Sequence, residues 1–165
     1  MKKALVWLRR DLRLYDNAGL HHALTNNAQA WMTFIFDTDI LEPLKVDDQA
    51  SGALTHDRRV DFIWQGLQQI DAQLRKQGGG LIVQFGKPTT CIPKIAKALG
   101  VNTVYTNHDY EPSAIARDHS VATSLEKLGI GFETFKDQVI FEKKEILTNS
   151  NTVFSIFTPY KNNWL

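Results

Sequence analysis

The sequence predicts a doubly wound α/β domain, with an open sheet of about five parallel strands and helices on both faces. Short apolar runs alternate along the chain with segments whose apolar residues recur at helical spacing. The apolar runs are nearly continuous, which is typical of strands that are buried on both faces. The resulting order βαβαβαβαβ favours a parallel sheet, because each helix carries the chain back to start the next strand.

The five strands are predicted at the apolar runs 4–8, 31–36, 81–83, 103–105 and 132–135. The first helix follows Asp16, which could cap it, and carries Leu20. The second helix begins after Asp57, and its apolar residues recur at helical spacing as far as position 74. Shorter helical patterns at 92–99 and 113–128 are predicted to stop at Gly100 and Gly129. After residue 138 the pattern becomes irregular.

Composition indicates a single soluble domain and excludes several classes of protein. The 165 residues are 43% hydrophobic and 22% charged, and 19 basic against 18 acidic residues give a net charge of +1. This balance argues against a domain whose main task is to coat nucleic acid. The single cysteine, Cys91, cannot form an internal disulfide, which fits a reducing cytoplasm. No apolar run approaches the ~18–20 residues of a membrane span.

Ligands of such sheets bind beyond the carboxyl ends of the strands, near the point where the strand order reverses. Three polar segments therefore matter most: 9–17, 37–55 and 107–112. The second is unusually long, which is typical of a functional or mobile loop. Glycine-rich phosphate loops, metal-ligand spacings and the G-x-S-x-G motif are all missing from the sequence. The five histidines, which include His56 just after the second segment, are interpreted as solvated or structural.

The first polar segment concentrates charge. Its three arginines and two aspartates lie close enough in sequence to interlock as charge-assisted pairs: Arg9, Arg10, Asp11, Arg13 and Asp16. They could form a structural network that fixes the loop, or a clamp for an anionic ligand. Their chemistry alone favours the structural network.

Three segments of the chain resemble the photolyase/cryptochrome family. Residues 7–17 read WLRRDLRLYDN, which is similar to that family's opening signature. Residues 107–112 read NHDYEP and are followed by ARD at 116–118, and residues 157–164 read FTPYKNNW; both resemble family segments. The resemblance implies a Rossmann-like α/β domain at 1–135. Residues 136–165 would begin a linker toward a helical, FAD-binding domain that is absent from this chain.

The resemblance further implies the light-harvesting, antenna-binding domain of a class I-like DNA photolyase. Such an enzyme is a carbon–carbon lyase that repairs UV-induced cyclobutane pyrimidine dimers by light-driven electron transfer from FAD. The 165 residues alone are expected to be inactive, and the arginines of the first loop are interpreted as structural. The expected partners are UV-damaged DNA, through the full-length protein, and the helical domain, with no membrane or metal. A cryptochrome-type sensory or interaction domain is the alternative.

The resemblance also implies where an antenna chromophore would bind. Family members that use methenyltetrahydrofolate carry an Asn-Glu pair where this chain has Ser113 and Ala114, so folate is the less favoured antenna. The favoured antenna is 8-hydroxy-5-deazaflavin or a flavin, whose site maps to Phe36, Asp37, Leu41, Arg59, Asp109 and Glu111. Each residue also has a structural interpretation: Phe36 as core, Asp37 and Asp109 as turn caps, and Arg59 as a partner of Asp57 or Glu111.

Overall fold

Five parallel strands form one sheet in the computed structural model of the chain. The structure describes residues 1–42 and 57–165, together with the backbone of 46–47 and 54–55. The strands of the sheet are β1 (Lys3–Leu8), β2 (Gln29–Asp37), β5 (Leu81–Gly86), β6 (Thr103–Asn107) and β7 (Gly131–Phe135). Two short strands, β3 (Val46–Asp47) and β4 (Leu54–Thr55), form a separate antiparallel pair.

The strand order is β5-β2-β1-β6-β7, and every pairing in this sheet is parallel. The chain therefore moves outward from β1 through β2 to β5, returns to the middle, and moves outward again through β6 to β7. The order reverses between β1 and β6, which defines the switch point of a doubly wound sheet. The predicted fold class and all five predicted strands are confirmed.

The helices lie on both faces of the sheet. Their bounds are α1 (Ala18–Asn26), α2 (Thr38–Leu41), α3 (Arg58–Lys76), α4 (Pro88–Leu99), α5 (Pro112–Glu126) and α6 (Phe157–Trp164). Buried residues of α1 and α3, such as Leu20 and Leu67, pack on one face of the sheet. Buried residues of α4 and α5, such as Ile92 and Val121, pack on the other. Strand β1 contributes alternate residues to the two cores, because its side chains point to opposite faces.

The helix ends agree with the sequence in most places. Asp57 caps α3, since its carboxylate accepts a hydrogen bond of 2.8 Å from the Arg59 N–H. The predicted cap of the first helix was one residue off. Asn17 caps α1 by accepting from the Leu20 N–H at 3.0 Å. Asp16 instead has a φ of 51°, outside the extended backbone that a capping residue adopts.

The long polar segment after β2 lies largely outside the described residues, as does His56. The part that is described, up to Glu42, turns directly into α2. No helix among the described residues is long and apolar enough to cross a membrane.

Residues 136–156 contain no helix or strand, as the irregular pattern predicted, but α6 lies within the stretch that was expected to be irregular. They nevertheless contact the sheet domain. The Asp137 carboxylate accepts from the Ala18 N–H at the start of α1 at 3.0 Å, and it pairs with Arg13 at 2.7 Å. This segment is therefore fixed to the beginning of α1 and to the loop after β1.

Candidate functional site: a cleft at the switch point

A cleft of about 600 Å³ opens at the carboxyl edge of the sheet. It is lined by the end of β2, by β1 and the loop after it, by the loop after β6, and by residues of α2, α3, α4 and α5. This is the place where doubly wound sheets bind ligands, because the loops after neighbouring strands separate at the switch point. Its apolar wall is formed by Phe34, Phe36, Ile40, Leu41, Val60, Ile63 and Ala114.

All six residues that the sequence singled out for a chromophore site line this cleft: Phe36, Asp37, Leu41, Arg59, Asp109 and Glu111. They come from four separate parts of the chain, which the fold brings to one edge of the sheet. Ser113 and Ala114 line the cleft as well. Neither of these two offers a carboxylate or an amide side chain to a ligand.

Phe36 has two roles in the structure. It is half-buried at the end of β2, and its ring centroid lies 5.0 Å from that of Phe34 and 6.4 Å from that of Trp64. The ring therefore packs on the core beneath β2, as the structural interpretation expected. Its remaining surface faces the cleft.

Asp37 and Asp109 each use one carboxylate oxygen locally. Asp37 Oδ1 accepts from the Asp39 N–H at 3.0 Å, and Asp109 Oδ1 accepts from the Tyr110 N–H at 3.0 Å. The capping interpretation is thus correct for Asp37, which caps α2, whereas Asp109 Oδ1 binds the N–H of the next residue, where no turn is formed. Their Oδ2 atoms lie 3.8 and 3.7 Å from the guanidinium of Arg117, which is beyond hydrogen-bonding distance. As far as the described residues show, both side chains therefore keep an acceptor that a ligand could use.

Arg117 is the principal site residue that sequence reasoning missed. It lies on α5, its side chain is only 16% exposed, and its guanidinium sits between the carboxylates of Asp37 and Asp109. The same guanidinium lies 5.2 Å from the ring centroid of Trp7. An arginine in a polar helical segment is usually solvated, so only the three-dimensional structure reveals that this one is buried.

Arg59 and Glu111 occupy the exposed rim of the cleft and pair with different partners. Arg59 pairs with Asp57 at 2.6 Å, and its hydrogen bonds lower the pKa of that carboxyl to about 2. Glu111 pairs with Arg10 at 2.6 Å, and this hydrogen bond is the main reason that the pKa of Arg10 is raised. Of the two partners open to Arg59 from the sequence, the structure selects Asp57.

The guanidinium groups of the first loop pair with carboxylates outside the loop. Arg9 binds both carboxylate oxygens of Asp118 at 2.7 and 2.8 Å, and its guanidinium also donates to the Asn107 carbonyl. Arg10 reaches Glu111, and Arg13 reaches Asp137. The network is therefore structural, as favoured from the sequence, but it joins the loop to distant segments.

The aspartates of this loop bind other groups. Asp11 accepts from the backbone N–H of Arg9 at 2.7 Å and from the side-chain amides of Asn17 and Asn107 at 3.1 and 2.7 Å. Asp16 contributes its backbone carbonyl, to which Arg13 donates at 2.6 Å. These bonds fix the loop between the ends of β1 and β6, beside the cleft.

The charges of the cleft are nearly balanced. Of the described residues, four arginines and three carboxylates line it: Arg9, Arg10, Arg59, Arg117, Asp37, Asp109 and Glu111. Such a lining suits a flat ligand whose edge carries both hydrogen-bond donors and acceptors, and it suits a polyphosphate less well. Among the described residues, no group of three or more metal-binding side chains could hold a metal ion.

Comparison with known proteins agrees with this geometry. The family model for DNA photolyase matches residues 4–165. A deoxyribodipyrimidine photo-lyase of Synechococcus sp. is 34% identical over 160 residues, covering 97% of this chain and 31% of the relative. A cryptochrome DASH of Natronomonas pharaonis is 27% identical, with 98% of this chain and 33% of the relative covered. The chain thus spans about a third of the length of these relatives.

One solved structure is similar in both sequence and fold. An archaeal photolyase from Sulfolobus tokodaii superimposes with a TM-score of 0.70 at 30% identity, covering 86% of this chain and 32% of that protein. That structure contains two FAD molecules, which were taken to imply a novel light-harvesting cofactor.

Proposed function

The chain belongs to the DNA photolyase family, in which it corresponds to the N-terminal α/β domain, and we propose that its cleft binds a light-harvesting antenna chromophore. The complete photolyase would repair UV-induced cyclobutane pyrimidine dimers by light-driven electron transfer from FAD. The observation that supports the proposal is that all six residues predicted for chromophore binding line one cleft at the switch point.

A flat chromophore fits the size and lining of the cleft. Its volume of about 600 Å³ is in the usual range for small-molecule and cofactor sites. The side chains of Phe36, Leu41 and Ile63 offer apolar surface for the faces of a ring system. Once bound, the chromophore would absorb near-ultraviolet or blue light and pass the energy to FAD in the helical domain.

The polar edge of the cleft suits a flavin-type ring, which carries carbonyl acceptors beside an N–H donor. Arg59 and Arg117 would donate to the ring carbonyls. Asp37, Asp109 and Glu111 would accept from ring N–H or hydroxyl groups. The Oδ2 atoms of Asp37 and Asp109, which lie on either side of Arg117 but beyond hydrogen-bonding distance from it, would supply this alternation of acceptor and donor.

An 8-hydroxy-5-deazaflavin or a flavin is favoured over methenyltetrahydrofolate. Ser113 and Ala114 line the cleft where folate-binding relatives are expected to carry an Asn-Glu pair, and neither can replace those side chains. The second FAD of the Sulfolobus tokodaii photolyase is consistent with a flavin in this role.

The remaining parts of the proposal concern the longer protein. Residues 136–165 would lead from the α/β domain at 1–135 toward the FAD-binding helical domain, which would also contact UV-damaged DNA. The 165 residues alone would then bind an antenna without splitting dimers. A cytoplasmic location fits the single cysteine, Cys91, which is free.

A second candidate function is that of a blue-light sensory or interaction domain. The similarity to a cryptochrome DASH favours it. Joining this chain to its natural continuation separates the two functions. A photolyase should split pyrimidine dimers under blue light. A protein that binds FAD but leaves the dimers intact would support the sensory function.

The antenna proposal is tested by titrating the 165-residue chain with 8-hydroxy-5-deazaflavin, FMN and methenyltetrahydrofolate while following their absorbance. We expect the deazaflavin or the flavin to bind more tightly than the folate. Replacing Arg59 with Gln should weaken that binding roughly tenfold, because a charge-assisted hydrogen bond is lost. The matched control is Arg58→Gln, one residue earlier on α3, since Arg58 is exposed and does not line the cleft. Tight folate binding alone would contradict the choice of antenna, and no binding of any of the three would contradict the proposal.

A further inference from the structure

The loop after β6 carries two acidic residues of the cleft, and other residues of the same loop attach it to β7. Asp109 and Glu111 line the cleft, whereas the neighbouring His108 and Tyr110 do not. The His108 N–H donates to the Phe135 carbonyl at 2.7 Å, and His108 Nε2 lies 2.8 Å from the Thr134 hydroxyl. Asp109 and Glu111 thus face the cleft, whereas His108 anchors the loop to β7.

The anchor is completed by Glu142, from the irregular segment after β7. Its side chain is only 10% exposed, and its carboxylate lies in direct contact with His108 Nδ1. Lys143 lies 3.2 Å from the same carboxylate. Burial and the negative charge of Glu142 raise the pKa of Tyr110, whose ring packs edge-on against His108.

Three buried polar atoms meet at this point: His108 Nδ1, the Tyr110 hydroxyl and Glu142 Oε1. Among the described residues none of the three has a hydrogen bond of good geometry. Because a buried polar group is costly to leave unpaired, the imidazole and the phenol each need a partner at this point. The Glu142 carboxylate is the acceptor that both the imidazole and the phenol can share.

We infer that Glu142 is a positioning residue for the chromophore site, acting through His108 and Tyr110. The inference rests on the proposed function, because it assigns the loop's acidic residues to a ligand. Because Glu142 holds the side chains of His108 and Tyr110 on the side away from the cleft, the backbone between and beside these two residues is fixed. Asp109 and Glu111 are thereby held toward the cleft and their arginine partners.

Of the nearby acidic side chains, Glu142 rather than Glu145 or Asp137 contacts His108 and Tyr110. Glu145 pairs with Lys136 at 2.7 Å, and Asp137 is bound by Arg13 and the start of α1. Both acidic side chains therefore face partners outside the loop, although their charges also contribute to the raised pKa of Tyr110. Within the part of the chain that the structure describes, only the Glu142 carboxylate lies directly against the imidazole.

The test compares Glu142→Gln with Glu133→Gln in the 165-residue chain. Glutamine keeps the shape of Glu142 and removes its charge, and Glu133 is an exposed glutamate on β7 that undergoes the same change. In Glu142→Gln we expect three results. The NMR signals of the Asp109 and Glu111 amides should shift, and the pKa of Tyr110 should fall toward its ordinary value. The affinity for the flavin or deazaflavin should drop about three- to tenfold, as for the loss of one hydrogen bond. The control should change none of these.

Unchanged loop amides and an unchanged Tyr110 titration in Glu142→Gln would overturn the inference. These two readouts need no chromophore, so they still decide the role of Glu142 if the wild-type chain binds no flavin and the proposed function fails. If Glu142→Gln does not fold, His108→Gln removes the same contact from the other side and is read with the same amide signals.

Discussion

Arg9 joins the loop after β1 to α5, and replacing it with Met should destabilise the protein markedly. Its side chain is 9% exposed, and that of its partner Asp118 is 16% exposed. Methionine keeps the unbranched aliphatic stem but removes both short bonds to the carboxylate and the bond to the Asn107 carbonyl. It also removes a cation 4.9 Å from the ring centroid of Trp7.

The magnitude follows from the burial of the carboxylate that is left behind. Leaving one member of a buried ion pair without its partner typically costs about 3–5 kcal/mol. Asp118 retains a contact of 3.4 Å with Arg117 and some solvent, so we expect a smaller loss of about 2–3 kcal/mol. For a chain of this length that loss corresponds to a melting temperature lower by about 4–12 °C.

Thermal unfolding followed by circular dichroism measures the effect, and a second ion pair provides the control. Arg75 and Asp71 lie 2.6 Å apart on α3, but Arg75 is 70% exposed. Arg75→Met should therefore leave the melting temperature within experimental error, because exposed pairs contribute little. Adding Asp118→Asn to Arg9→Met should recover part of the lost stability. Equal effects of Arg9→Met and Arg75→Met would refute the reasoning from burial.

Two further predictions concern backbone strain and protonation. Gly86→Ala should destabilise the protein by about 2–3 kcal/mol in urea unfolding, because φ is +152° and the new Cβ would lie 2.8 Å from Cys91 Sγ. The control is Gly78→Ala, where φ is +79° but the new Cβ would meet open space, and it should lower the free energy of unfolding by only about 1 kcal/mol. The pKa of Asp57 is about 2, below its ordinary value of 3.8, so its stabilising contribution should be full above about pH 4 and lost as the pH falls through 2. NMR titration should show this pKa rising in Arg59→Gln, and an unchanged value would contradict the assigned cause.

The strands of the sheet could be predicted because the apolar residues that mark each strand lie within its own segment of the sequence. In β1 every residue from Ala4 to Leu8 is buried, so the strand is a continuous apolar run that sequence reading recognises. Strand β5 was predicted three residues too short. Gln84 and Phe85 are exposed there because β5 lies at the edge of the sheet, and so the apolar run stops before the strand does.

Neighbouring residues alone could not predict the cap of α1 or the partners of the arginines in the first loop. Asp16 and Asn17 are both good capping residues, and only the backbone conformation decides between them. The partners of Arg9 and Arg13 lie 109 and 124 positions away in the chain. Charges that are close in sequence therefore suggested the wrong pairs, although they correctly indicated a network.

The cleft was predicted in part, and mainly through resemblance. The rule that ligands bind at the carboxyl edge selected the correct loops, and the family motifs supplied the six residues that line the cleft. Arg117 and Glu142 were missed for a physical reason. Each is a charged residue in a polar stretch, and its burial depends on side chains from distant elements, such as Trp7 for Arg117 and His108 for Glu142.

The most direct test of the central claim is to locate the chromophore on the protein. Isotope-filtered NOE spectra of the chain with bound 8-hydroxy-5-deazaflavin would report which side chains contact the ring. Contacts to Phe36, Leu41 and Ile63 are predicted, because these residues form the apolar wall of the cleft. A deazaflavin whose contacts lie outside the cleft, for example along residues 148–163, would contradict the claim.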